Sequence, residues 1–175
     1  MISGVLRHIL RIVFLVLLQG LVVNRLNLMD GMILPMVYLF GILMLPLAMN
    51  RVALMVIGFI VGAMVDSFTN TLGLHTSATV LMAFMQPVVL RVLSPREGYE
   101  PGLSPTIQDM GLTWYLAFAG TLTLIHHLWL FFIELLRFTP FWMTLGKVFL
   151  SAVASLLLMV IGQYLIYSSV ERNRS

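Results

Sequence analysis

Residues 58–75 of this chain, GFIVGAMVDSFTNTLGLH, lie within a long apolar run that ends in a short polar turn. Gly58, Gly62 and Asp66 are spaced four residues apart, so a helix places all three on one face. Small residues on such a face let another helix approach closely in a membrane, where an acidic residue is costly. The stretch therefore predicts a tightly packed helix that carries a carboxylate near its end.

The composition of the whole chain indicates an integral membrane protein. Of its 175 residues, 60% are hydrophobic and 10% are charged, whereas soluble domains carry about 25% charged residues. The mean hydropathy is +1.01 and the pI is near 9.7. The arginines lie at the ends of apolar segments, where they act as topology signals, so we expect no nucleic-acid binding. Since the chain contains no cysteine, disulfides, thiolate metal sites and cysteine nucleophiles are excluded.

Six apolar segments are candidates for crossing a bilayer, which takes about 20 residues in a helix. They cover approximately residues 9–23, 32–49, 52–68, 72–93, 112–136 and 141–167. We therefore predict an all-α bundle of about six transmembrane helices that forms one polytopic domain, 1–175. Only Asn50 and Arg51 separate the second segment from the third, so the alternative is five spans with one short re-entrant segment.

Basic residues near the span ends predict the orientation. With the N-terminus inside, Arg25 and Arg137 lie outside, and seven arginines lie on the cytoplasmic side: Arg7, Arg11, Arg51, Arg91, Arg96, Arg172 and Arg174. Both termini are therefore expected in the cytoplasm. The first apolar run lacks a small-residue cleavage site and should remain as an uncleaved span.

The one long loop, 94–111, carries three prolines and four charged residues. Prolines and charges favour a solvated connection over a helix, and the predicted orientation places this loop in the cytoplasm. It is either a linker between two three-helix halves or a surface for a cytoplasmic partner.

Asp66 falls in the outer half of the third predicted span, and two interpretations of it remain open. It is a buried anchor that accepts hydrogen bonds or an ion pair, or it caps the following turn and reaches the interface. Gly73 in the turn and His75 at the start of the fourth span belong to the same structural anchor.

Further polar residues are expected at the depth of Asp66. We hypothesise an outer polar cluster that is drawn from the following residues: Asp66, His75, His126 or His127, Glu134 and Lys147. For each histidine the alternative is a single hydrogen bond to a backbone carbonyl or an interfacial position. Glu134 can instead pair with Arg137, three residues further on.

Motifs that carry catalysis are missing from the sequence. His126 and His127 are adjacent, so on a helix they point about 100° apart and chelate one ion poorly. The sequence contains no H-E-x-x-H, no G-x-S-x-G and no P-loop motif. Its 13 methionines are spread along the spans, as is usual for packing residues. We expect no enzyme activity, metal or cofactor.

The stretch from Gly58 to Gly73 resembles the MreD family of bacterial rod shape-determining membrane proteins, as do the length, the short basic N-terminus and the five or six spans. The resemblance implies a non-enzymatic scaffold in the bacterial cytoplasmic (inner) membrane, within the machinery that builds lateral peptidoglycan and sets cell shape. It implies contact with membrane lipid and, as partners, an MreC-like protein, the MreB filament and the glycosyltransferase/transpeptidase synthase.

The MreD family resembles in fold the membrane substrate-binding subunits of energy-coupling-factor vitamin transporters. These subunits enclose a small ligand near the outer side of a six-helix bundle, at the level of the predicted polar cluster. The alternative function is therefore that of a small-solute-binding subunit of a vitamin-type transporter.

Overall fold

The structure is a computed structural model that describes the backbone of residues 2–100, 102–135 and 140–172 and the side chains of residues 4–100, 102–133 and 140–166. These parts of the chain are helical and contain no strands, with 76% of residues in helices. The helices are α1 Ile2–Leu21, α2 Leu39–Leu43, α3 Arg51–Thr69, α4 Leu74–Val92, α5 Ile107–Met110, α6 Leu112–Leu135 and α7 Phe141–Arg172. Short 3-10 turns at Val23–Arg25 and Met29–Gly31 follow α1.

Four of the described helical segments are long and apolar enough to cross a membrane. They are Gly4–Arg25, Arg51–Thr69, Leu112–Ile133 and Phe141–Ile166. α4 has 19 residues, as many as α3, but it is less apolar because it carries the buried side chains of His75, Thr79 and Gln86. The described chain is thus compatible with a multi-pass, all-α membrane protein. By length and composition, four of its described helices qualify as spans, not the six that were predicted.

The predicted second span, 32–49, is not a helix of membrane length. Within it only Leu39–Leu43 is α-helical. The segment runs back alongside α1, since the amide of Val37 contacts Gln19 while the carbonyl of Met44 contacts Arg11. Pro35 and Pro46 interrupt a regular helix, because proline lacks the N–H group that a helix needs.

The same segment is the most continuously buried part of the described chain. Every residue from 35 to 45 is buried. Its apolar character therefore comes from a position inside the bundle, where other helices surround it. Irregular backbone is tolerated at membrane depth when protein covers it.

α3 and α4 form a tightly packed hairpin. A Cβ atom added to Gly62 would lie 2.5 Å from the Cα atom of Thr76, and one added to Gly58 would lie 3.1 Å from the carbonyl oxygen of Thr79. Both glycines therefore lie where the two backbones meet, as their spacing predicts. Asn70 ends α3 with φ +53° and Gly73 precedes α4 with φ +83°. Glycine adopts such positive φ values without strain.

The loop at 94–111 is only partly irregular, because it contains the four-residue helix α5, which the proline-rich sequence did not predict. The Tyr99 hydroxyl donates to the carbonyl of Leu90 at 2.8 Å, and the Trp114 indole donates to that of Leu93 at 3.3 Å. Burial raises the pKa of the Tyr99 hydroxyl, and a hydrogen bond with Trp114 lowers it in part. The Tyr99 bond fastens the loop to the end of α4, and the Trp114 bond joins the start of α6 to the same end of α4.

Candidate functional site

The carboxylate of Asp66 lies at the α3–α4 turn and accepts four hydrogen bonds. Oδ1 accepts from the Thr71 hydroxyl at 2.6 Å and from the His75 backbone N–H at 3.0 Å. Oδ2 accepts from the hydroxyl of Thr76 at 2.6 Å and from its backbone N–H at 3.0 Å. The first N–H groups of a helix lack partners within the helix and attract negative charge. Asp66, which is 8% exposed, is thus a buried acceptor as in the first interpretation, and it also caps α4 as in the second.

Tyr38 is the centre of a second polar group, which we call the tyrosine–histidine cluster: Tyr38, His75, Thr79 and His126. The Tyr38 hydroxyl lies 2.7 Å from Nε2 of His126, 3.3 Å from Nδ1 of His75 and 3.4 Å from the Thr79 hydroxyl. All four residues are buried. The irregular segment before α2 places Tyr38, α4 places His75 and Thr79, and α6 places His126, so the cluster joins three elements.

His126 has one ring nitrogen that is not satisfied within this cluster. Its Nε2 atom faces Tyr38, and its buried Nδ1 atom has no hydrogen-bond partner among the described residues. This holds for either neutral tautomer, because the proton position changes only whether Nδ1 is a donor or an acceptor. A buried polar atom without a partner costs about 1–3 kcal/mol.

His127 belongs to a separate network. Its Nδ1 atom lies 2.8 Å from the carbonyl oxygen of Thr123, and its Nε2 atom lies 3.3 Å from the Ser155 hydroxyl. A serine beside a histidine suggests a nucleophile, but this hydroxyl donates to the Ser151 carbonyl at 2.7 Å and accepts the Met36 amide at 2.8 Å. Since Ser155 is fully buried, its contacts indicate a structural role.

Three polar side chains hold the irregular segment that precedes α2. Ser151 and Ser155, one turn apart on α7, accept the backbone N–H groups of Leu34 and Met36 at 2.9 and 2.8 Å. Gln19 of α1 accepts the Val37 N–H at 2.8 Å and donates to the Pro35 carbonyl at 3.1 Å. This role was not predicted from the sequence. Two features could have indicated it: prolines inside an apolar run, and two serines spaced four residues apart in an apolar helix.

The predicted outer cluster is therefore divided in the structure. His75 and His126 meet through Tyr38, while Asp66 binds the backbone of His75 and His127 lies in its own network. The Lys147 ammonium lies 4.7 Å from the centre of the Phe131 ring, a cation–π contact. The side chain of Glu134 lies outside the described residues. In the parts of the chain that the structure describes, no three His, Cys, Asp or Glu residues form a potential metal site.

A cavity of about 230 Å³ lies beside the tyrosine–histidine cluster. Its polar lining comes from Asn24, Thr69, Thr71 and His75, and its apolar lining includes Pro35 and Phe131. The Asn24 side chain receives a hydrogen bond from Gln19 at 2.6 Å, whereas its buried Nδ2 atom has no partner within the described part of the chain. The cavity offers hydrogen bonds to a small solute or to water.

Comparisons with protein-family models, with curated proteins and with solved structures gave no match.

Proposed function

We propose that this chain is a non-enzymatic membrane scaffold of the bacterial cell-elongation machinery, which builds lateral peptidoglycan and sets cell shape. The observation that carries the proposal is the α3–α4 hairpin, formed by the stretch that resembles the MreD family. Gly58 and Gly62 serve close packing, and both carboxylate oxygens of Asp66 accept hydrogen bonds from the turn and from the first turn of α4. This stretch supplies a rigid shape to a partner rather than a reactive group.

The outward faces of α1 and α7 support an assembly role. They carry large apolar side chains that are about half exposed, such as Phe14, Phe149 and Ile161, and Trp142 at the start of α7 is 78% exposed. In a membrane such faces contact lipid or the helices of other proteins. Their partners in this proposal are membrane lipid, an MreC-like protein, the MreB filament and the glycosyltransferase/transpeptidase synthase.

Depletion of the protein in its bacterial host tests the proposal. We expect rod-shaped cells to become round and the MreC-like protein to copurify with the tagged full chain. A Gly62→Leu variant should lose both complementation and copurification, whereas Gly120→Ala should retain them, because a Cβ at Gly120 would be 3.5 Å from its nearest neighbour. Normal shape together with lost uptake of one nutrient would reject the scaffold.

A small-solute-binding subunit of a vitamin-type transporter is the second candidate, and the cavity beside His75 favours it. The cavity volume of about 230 Å³ is below the range of about 300–1,000 Å³ typical of ligand sites, which makes this candidate the weaker one. Saturable binding of a vitamin by the purified chain, lost in a Thr71→Val variant and retained in Ser67→Ala, would establish it over the scaffold. Ser67 is the control because its side chain is exposed and bonds only its own helix.

A further inference from the structure

Arg11 of α1 is a partly buried cation whose hydrogen-bonding capacity is only partly used. Its Nη2 atom donates to the carbonyl of Met44 at 2.9 Å and contacts Nδ1 of His8 at 2.7 Å. Its buried Nε atom has no partner among the described residues. Because a guanidinium carries five N–H donors, this side chain can bind an additional acceptor.

A cavity of about 170 Å³ opens beside Arg11. The other lining residues with a hydroxyl or amide side chain are Thr106, Gln108, Gln163 and Tyr164. Of the described residues that line it, none carries a carboxylate. A positive charge and neutral donors without a counter-charge make this cavity suitable for an anion.

An apolar groove of about 390 Å³ begins at the same arginine and lies between α1 and α7. Arg11 and Ile166 line both the cavity and the groove. The groove extends along α1 to Leu18 and along α7 to Leu158, which is roughly 10 Å of helix on each side at 1.5 Å per residue. A small polar cavity that continues into a long apolar groove fits a molecule with an anionic end and a hydrocarbon chain.

We infer that this surface binds an anionic phospholipid, with its phosphate at Arg11 and one acyl chain in the α1–α7 groove. The forked donors of a guanidinium suit phosphate oxygens, and basic pockets between membrane helices bind lipid head groups. Apolar side chains along the groove, such as Phe14 and Leu158, are exposed. With α1 and α7 crossing the membrane, these side chains would face its hydrocarbon and lipid would reach the site from the bilayer. The site lies in the leaflet on the side of the chain's N-terminus and does not depend on the scaffold role.

The test uses the full chain in a neutral detergent, titrated with dioleoyl phosphatidylglycerol, with bound lipid counted by native mass spectrometry. We expect one lipid to bind most tightly, and Arg11→Gln to weaken its binding about tenfold through the loss of charge-assisted hydrogen bonds. Arg7→Gln is the matched control: it makes the same charge change one turn away, at an exposed position, and should leave binding unchanged.

A second variant addresses the groove without touching Arg11. Gly162 lines the groove, and a Cβ there would lie 3.4 Å from the Phe40 ring, an ordinary contact. We therefore expect Gly162→Leu to fold. Its larger side chain should weaken lipid binding, because it occupies the place of the acyl chain in the groove. This variant keeps the inference testable if Arg11→Gln fails to fold, which thermal unfolding without added lipid would reveal.

Inorganic phosphate and dioleoyl phosphatidylcholine separate the sources of the binding energy. Phosphate at millimolar concentration should not displace the phosphatidylglycerol, since phosphate has no acyl chain to fill the groove. Phosphatidylcholine should bind more weakly than phosphatidylglycerol, because its head group carries no net charge. The inference is overturned by equal binding to Arg11→Gln and wild type, by an equal loss in Arg7→Gln, or by displacement with phosphate alone. A second copy or a foreign helix on this face, in place of lipid, would overturn it as well.

Discussion

At the scale of single residues, Asp66 illustrates how a carboxylate is kept in an apolar setting. Its two oxygens accept bonds from two hydroxyls and two backbone N–H groups, so desolvation of the charge is offset by direct hydrogen bonds. All of these donors belong to the turn and to the first turn of α4. The residue therefore fixes the geometry of the hairpin, which gives its acidity a structural reason.

Asp66→Asn should lower the free energy of unfolding by about 2 kcal/mol. The amide NH₂ of asparagine would face an N–H or hydroxyl donor that now bonds a carboxylate oxygen. Thermal unfolding of the purified chain in detergent measures the loss. Asp109→Asn is the control, since Asp109 is exposed and accepts the Ser104 N–H at 2.9 Å. Equal stability of Asp66→Asn and wild type would contradict the anchoring role.

At the scale of helices and segments, the α3–α4 hairpin and the segment 32–49 contrast. The hairpin follows from local features: glycines spaced four apart, a capping carboxylate and a turn with positive φ values. The segment instead depends on distant side chains, because Gln19 of α1 and Ser151 and Ser155 of α7 bond its backbone. One element is specified within 20 residues, and the other only by the assembled bundle.

Gly62→Ala should destabilise the protein by about 2–3 kcal/mol, the cost of overpacking a close contact. The added Cβ would lie 2.5 Å from the Cα of Thr76 and 2.8 Å from its nitrogen, so the two backbones must move apart. Gly120→Ala should be neutral or stabilise by up to about 1 kcal/mol, because alanine favours a helix. The unfolding temperatures of the two variants measure these changes. A Gly62→Ala protein as stable as wild type would refute the close approach of α3 and α4 at Gly62.

Ser155→Ala should cost about 1–3 kcal/mol, because it leaves the buried N–H of Met36 without an acceptor, and Ser151→Ala should cost less, because the N–H of Leu34 is only partly buried. The local readout is hydrogen exchange, which should become faster at the amides of Leu34 and Met36. Ser67→Ala provides the comparison, as its hydroxyl is exposed and donates to the Ala63 carbonyl of its own helix. Unchanged protection of both amides in the double variant would show that the serines do not hold the segment.

At the scale of the whole molecule, buried polar side chains lie within a largely apolar core, and large parts of the outer surface are apolar as well. Gln19, Gln86, Thr123 and His126 are buried, whereas the outer faces of α1 and α7 are apolar. The apolar outer faces differ from the polar surface of a soluble domain, and they suit a protein that lies in lipid. The less apolar helix α4 is accommodated because its neighbours α3 and α6 cover it.

The predicted orientation places the turn after α3 outside the cell and the loop after α4 in the cytoplasm. Since the chain contains no cysteine, Leu72→Cys and Ser94→Cys each introduce a single thiol at an exposed position at opposite ends of α4. A membrane-impermeant maleimide added to intact spheroplasts should label the cysteine at 72, and should label the one at 94 only after lysis. The reverse pattern would invert the topology.

The sequence by itself determined the class of protein, the bounds of α3, α4 and α6 to within two residues, and the close face of Gly58, Gly62 and Asp66. It placed the start of α1 seven residues too late and the end of α7 five residues too early. These properties arise from composition and from interactions between residues near one another in the chain. Only the tertiary structure decided that 32–49 is a buried irregular segment, because an apolar segment has the same composition whether lipid or protein surrounds it. Only the fold, too, placed Tyr38 between His75 and His126, since hydrogen bonds across 37 and 88 residues of chain leave no local pattern.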